Sequence, residues 1–164
     1  MNIALIGFRG TGKTTVARLL ARKFDKKLIS TDEEIVKKAN MSPPKFVEKY
    51  GWDKFLELES EMVESISYLD ECVFDTSDGI VVRNENIINL KKNALIVLLT
   101  ADIKTIISRV RRTAKNNDAE ELKNDLLERE SKYKRAADYA IDTSRLSPEE
   151  VCDLITHYIQ MELK

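Results

Sequence analysis

Residues 7–14 read Gly-Phe-Arg-Gly-Thr-Gly-Lys-Thr, which satisfies the spacing Gly-x-x-x-x-Gly-Lys-Thr/Ser of a phosphate-binding loop. An apolar run, Ile3 to Ile6, precedes it, and Val16, Leu19, Leu20 and Phe24 follow at helical spacing. Strand, loop and helix in that order are the context in which such a motif has physical meaning. Glycine at 7, 10 and 12 lets the backbone turn its N–H groups inward, and the following helix adds its positive end. The socket suits the phosphates of a nucleoside triphosphate, with contacts expected from Gly10, Thr11, Gly12, Lys13, Thr14 and Thr15. Lys13 is expected to reach the β/γ oxygens, and Thr14 to help hold Mg²⁺.

Phosphoryl transfer asks a protein for positioning and charge neutralisation, so the next residues of interest are carboxylates and cations. Asp32 follows the apolar end of a second strand, where the crevice of an open parallel sheet lies. It is expected to accept a hydrogen bond from an acceptor hydroxyl or to take its proton; capping a helix that begins at Glu33 is the other reading. Asp75 ends a third strand and Asp78 follows at Asp78-Gly79. Either carboxylate could serve the metal, and Asp75 is preferred because it terminates the apolar residues; a plain turn also accounts for Asp78-Gly79. Arg109, Arg111 and Arg112 open the stretch 109–119, which lacks apolar periodicity and reads as a polar loop able to close over a nucleotide. Arg109 is placed against phosphates or flat on adenine.

These residues must be carried by a framework, and the chain alternates apolar runs with helical patterns from end to end. Strands are expected at 2–6, 28–31, 72–76, 94–99 and 139–142, which describes an α/β domain with a parallel sheet covered by helices. Ser42-Pro43 marks a helix start that Gly51 can end, and Ser147-Pro148-Glu149-Glu150 is a capping box. The 164 residues fit one domain. Lys and Arg number 27 against 28 Asp and Glu, a balance that argues against a nucleic-acid-binding face. Cys72 and Cys152 lack metal-ligand spacing and read as buried thiols of a reducing compartment. No apolar stretch is long enough to cross a bilayer and no signal peptide precedes the first strand. A cytoplasmic monomer without membrane or nucleic-acid partners is expected.

The arrangement resembles the shikimate kinase family from about residue 2 to residue 160. Besides the loop and Asp32, the similar segments are Gly51-Trp-Asp-Lys-Phe55-Leu-Glu-Leu-Glu59, Glu128-Arg129…Tyr133…Ala137-Asp138, and Ile141-Asp-Thr-Ser-Arg-Leu-Ser-Pro148. The resemblance implies a P-loop kinase three-layer fold: a five-stranded parallel sheet of order 2-3-1-4-5, with an acceptor-binding region at 33–65 and a lid at 109–119. It implies transfer of the γ-phosphate of ATP, with Mg²⁺, to a hydroxyl of a small molecule, shikimate being the named acceptor. It further implies Arg109 and Arg145 near adenine, Asp32 on the acceptor hydroxyl and Arg129 on an acceptor carboxylate. Asp78 and Gly79 fall in the acceptor segment, and Arg111 or Arg112 stands in for the lid arginine, with Arg112 taken as the catalytic candidate.

Departures cluster on the acceptor side. Leu56 occupies the place of an arginine, Ser77-Asp78-Gly79 the place of three glycines, and Ser30 the place of an acidic residue. Asp78 is expected to project negative charge toward the acceptor, so that beside shikimate another hydroxylated metabolite, neutral or cationic, is an equal reading. A nucleoside or nucleotide kinase is the second reading, disfavoured because 33–65 contains no arginine. A nucleotide-binding module without transfer is the third.

Overall fold

In the computed structural model, which describes residues 1–113 and 118–164, five strands form one sheet. They are β1 (Asn2–Ile6), β2 (Lys27–Ser30), β3 (Cys72–Asp75), β4 (Ala94–Thr100) and β5 (Tyr139–Asp142). Their order is β2-β3-β1-β4-β5, and every pair is parallel. The helices are α1 (Lys13–Lys23), α2 (Thr31–Ala39), α3 (Pro43–Tyr50), α4 (Trp52–Ile66), α5 (Asn84–Lys91), α6 (Ile103–Thr113), α7 (Ala119–Ala136) and α8 (Pro148–Glu162).

The apolar runs are unbroken because the central strands are buried on both faces. In β1, Ile3 and Leu5 pack with Val16, Leu20 and Ile155 of α1 and α8. The alternate residues Ala4 and Ile6 join Phe74, Met62, Leu90 and Ile106 on the opposite face. The period of two in a strand thus feeds two separate cores from one segment. All five strands end on the same edge, so the loop after β1, the start of α2 and the turn after β3 converge there.

Local signals explain the helix ends that flank this edge. Ser147 and Glu150 form both bonds of the capping box, each at 3.1 Å. Gly51, at φ +91°, ends α3 and at once begins α4. Ser30 rather than Asp32 caps α2: its hydroxyl accepts from the Glu33 amide, and the helix starts at Thr31. The capping reading of Asp32 is therefore corrected, and its carboxylate is left in the first turn, at the sheet edge.

The expected polar loop at 109–119 also needs correction. Helix α6 runs on to Thr113, and Asp118 caps α7 by accepting from the Glu120 amide at 2.9 Å. Ile106 and Val110 supply the packing contacts, and the arginines after them are good helix formers although they carry no apolar pattern. Residues 114–117 of the expected lid lie outside the described residues.

The turn out of β1 depends on absent side chains to different degrees. A Cβ at Gly7 (φ +148°) would lie 2.4 Å from the Leu99 carbonyl oxygen, whereas one at Gly12 (φ +98°) meets nothing within 4 Å. Gly7→Ala should cost about 2–4 kcal/mol, through a backbone clash. Gly12→Ala should cost only about 1 kcal/mol, from its left-handed conformation. Urea unfolding of the two variants checks the ranking, and equal losses would contradict it.

Candidate active site

The loop between β1 and α1 leaves the first amides of α1 without a side-chain cap, because the capping residue is Gly12. Those uncapped donors and the helix dipole face a cavity of about 780 Å³. Lys13 is buried, and its Nζ donates to the carbonyls of Gly7 (2.7 Å) and Phe8 (3.0 Å), which curls the loop around the ammonium. Burial pushes the Lys13 pKa down, against the upward pull of Asp78, Asp75 and Asp32. Thr11 lies beneath the loop: its hydroxyl donates to Phe8 O at 2.7 Å, and its carbonyl accepts from Thr143 Oγ1 at 2.9 Å.

On the opposite wall the Thr14 hydroxyl donates to Asp75 Oδ2 at 2.8 Å. Burial holds the Asp75 carboxyl above its ordinary range. Among the described residues no cluster of three His, Cys, Asp or Glu could hold a metal by itself. A lone hydroxyl with a carboxylate suits Mg²⁺, which keeps waters and takes substrate phosphate oxygens as ligands. The open helix start and the Thr14–Asp75 pair fit a metal-bound triphosphate.

Asp32 lines the same cavity, and its pKa is raised by burial first and by Asp78 and Asp75 next. Arg109 crosses from α6 to the loop, its Nη1 donating to Gly10 O (3.1 Å) and Thr143 Oγ1 (3.0 Å), its Nη2 to Thr143 O (2.9 Å). It closes one end of the cavity against both segments.

Gly10, Gly12, Lys13, Thr14, Thr15, Asp32, Asp75, Asp78 and Arg109 are all brought to one cavity. Gly79 follows in the turn, whose Val82 amide donates to the Gly79 carbonyl at 3.1 Å. Arg129 reaches the cavity wall indirectly, its Nη1 bonded to Asp78 Oδ2 at 3.1 Å. Arg145 is exposed after β5 and does not line the cavity. Arg112 is not brought there either: the continuation of α6 carries it, with Arg111, to an exposed depression shared with Lys104, Ile107 and Ser108.

Two residues at the site carry no assigned role in the sequence reading, although Glu59 ends one of the segments similar to the family. Arg9, inside the loop, stands 4.7 Å over the Phe8 ring and bonds both Asp78 (3.0 Å) and Asp125 (2.7 Å). No spacing rule marks the variable positions of the motif. Glu59 is buried on α4, where Ser77 Oγ donates to its Oε2 at 2.9 Å and its Oε1 has no partner among the described residues. An acidic residue between Phe55, Leu56, Met62 and Val63 of an apolar helix face was the available signal.

The comparisons with known proteins agree with this geometry. The family model described as shikimate kinase matches residues 9–160. The chain belongs to the shikimate kinase family. A shikimate kinase of Caldanaerobacter subterraneus subsp. tengcongensis is 37% identical over 167 residues, covering 98% of each chain. That of Thermodesulfovibrio yellowstonii is 36% identical over 159 residues, covering 94% of this chain and 92% of its own. The Acinetobacter baumannii shikimate kinase solved in complex with shikimate superposes with a TM-score of 0.89 at 27% identity, over 98% of this chain and 93% of that one. As a member of the family the protein is an ATP- and Mg²⁺-dependent phosphotransferase acting on a hydroxyl of a small metabolite.

Glu59 gives this family member a distinctive pH response. Burial, the largest cause, raises its pKa from 4.5 to about 7. A carboxyl whose folded pKa exceeds its unfolded one stabilises the fold fully below the unfolded value, and that stabilisation is lost as pH rises through the folded one. Glu59→Gln removes the titration and keeps an acceptor for Ser77. The stability difference between variant and wild type should move toward the variant between pH 4.5 and 7, on the order of 3 kcal/mol. Denaturant unfolding at both ends of that window measures it, and a flat difference would disprove it.

Proposed function

We propose that this chain transfers the γ-phosphoryl group of MgATP to a hydroxyl held beside Asp32 at the tips of β2 and β3. The carrying observation is that the Lys13 loop, the Thr14–Asp75 pair and Asp32 open into one cavity. In this reading the main chain of residues 10–15 grips the phosphates, and Lys13 leaves its carbonyl partners for the β/γ oxygens. Bound Mg²⁺ supplies charge neutralisation at the transferring group. The Thr14 hydroxyl and the Asp75 carboxylate are the residues that would hold the ion.

Asp32 orients the acceptor hydroxyl and takes its proton. The raised pKa of its carboxyl supports that role, because a stronger base transfers a proton more effectively near neutral pH. The segment 33–65 lies against the acceptor side through Glu59, which accepts from Ser77. Arg109 serves the nucleotide end. Cys72 and Cys152 are free and buried, which supports a reducing, cytoplasmic setting.

Two variants test the assignment. Lys13→Ala should abolish acceptor-dependent ADP release while thermal unfolding remains cooperative; a near-normal rate would refute the phosphate role. Asp32→Asn should lower kcat about a hundredfold or more and leave the KM for ATP nearly unchanged. A rise in the ATP KM with kcat retained would move Asp32 to the nucleotide.

A further inference from the structure

Asp78 is not a surface carboxylate that happens to border the cavity. Its Oδ2 accepts from Arg9 Nη1 at 3.0 Å and from Arg129 Nη1 at 3.1 Å, so one oxygen joins two guanidinium groups. The turn that carries it is tied on several sides. The Ser77 amide donates to Thr31 Oγ1 at 2.9 Å, Ser77 Oγ donates to Glu59, and the Tyr133 hydroxyl donates to the Asp78 carbonyl. The carboxylate is thereby fixed in the place where the cations of the acceptor side could have received an anion from solution.

The remaining cations lining the cavity are committed elsewhere. Lys13 rests on the loop carbonyls and Arg109 on Gly10 and Thr143. Arg9 spends its second nitrogen on Asp125. On α4, one turn before Glu59, the buried Leu56 offers no charge. Asp32, Asp75, Asp78 and Glu121 line the same cavity. An acidic acceptor would have to set its carboxylate beside Asp78, and two carboxylates in one site cannot both ionise without strong repulsion.

We propose that Asp78 is a built-in counter-ion for Arg9 and Arg129, and that the acceptor is a small polyhydroxylated compound without a carboxylate. This rests on the kinase reading above and narrows its substrate class. Hydroxyl or ammonium donors on the acceptor would find the acidic wall complementary, and Asp78 becomes the residue that excludes acidic analogues.

Calorimetry on MgADP-loaded protein tests this with shikimate, its uncharged methyl ester, and the analogue bearing an aminomethyl group in place of the carboxylate. The ester or the amine should bind at least about tenfold more tightly than shikimate, the scale of a repelled charge. Whichever of the two binds better identifies a neutral or a cationic acceptor. Asp78→Asn, which keeps size and removes charge, should shift the preference toward shikimate by a similar factor. Shikimate binding as tightly as both analogues to the wild type would overturn the proposal, whether or not the variant folds. The MgADP titration that comes first reads the nucleotide site alone. Its failure would overturn the kinase reading with the proposal, whereas its success with indifferent acceptors would overturn the proposal alone.

Discussion

The burial of β1 on both faces is the constraint from which the rest of the molecule follows. A strand with core on either side must lie inside the sheet, and β1 sits between β3 and β4 with its five residues enclosed. Its carboxyl end then delivers the Gly7–Gly12 turn to the middle of the sheet edge. There α1 starts against one core while the Asp75 strand tip approaches from the neighbouring position. Were β1 an edge strand, the loop would face solvent, and Lys13 could not be buried against its own carbonyls.

Around that edge the two halves of the site follow different physical rules. The half that we assign to the nucleotide is held by hydrogen bonds between segments: Thr143 ties the β5 loop to Thr11, and Arg109 ties α6 to Gly10 and Thr143. The half that we assign to the acceptor is a charge arrangement in which Asp78 pairs with Arg9 and Arg129, and Glu59 lies buried behind Ser77. In this half burial raises the carboxyl pKa values of both Asp32 and Glu59, with neighbouring carboxylates reinforcing the effect. A cavity of that kind discriminates by electrostatics as much as by shape.

The sheet and the phosphate loop were legible because each depends on contiguous residues. Strand positions came within a residue or so of their final bounds, since an apolar run bounded by polar residues leaves little freedom. The loop needed only spacing and flanks. What failed to show was chemistry made by residues far apart in sequence. Arg9 meets Asp125 across 116 positions, and Arg129 meets Asp78 across 51, and no local pattern reports such pairs. Basic residues misled at 109–113, where the spacing of Ile106, Ile107 and Val110 carries an apolar stripe past Arg109 and the helix continues. Asp32 was found for its position after a strand, although its capping role belongs to Ser30.

The uncapped start of α1 has a consequence for how such a protein changes over generations. The donors it presents are main-chain amides, which every residue type except proline supplies, so substitutions that spare the glycine turn and Lys13 leave them in place. In the proposed reading, selectivity for the second reactant depends instead on side chains spread over the loop, the turn after β3, α4 and α7. A handful of exchanges there can redirect the enzyme to a new metabolite while its energy source stays the same.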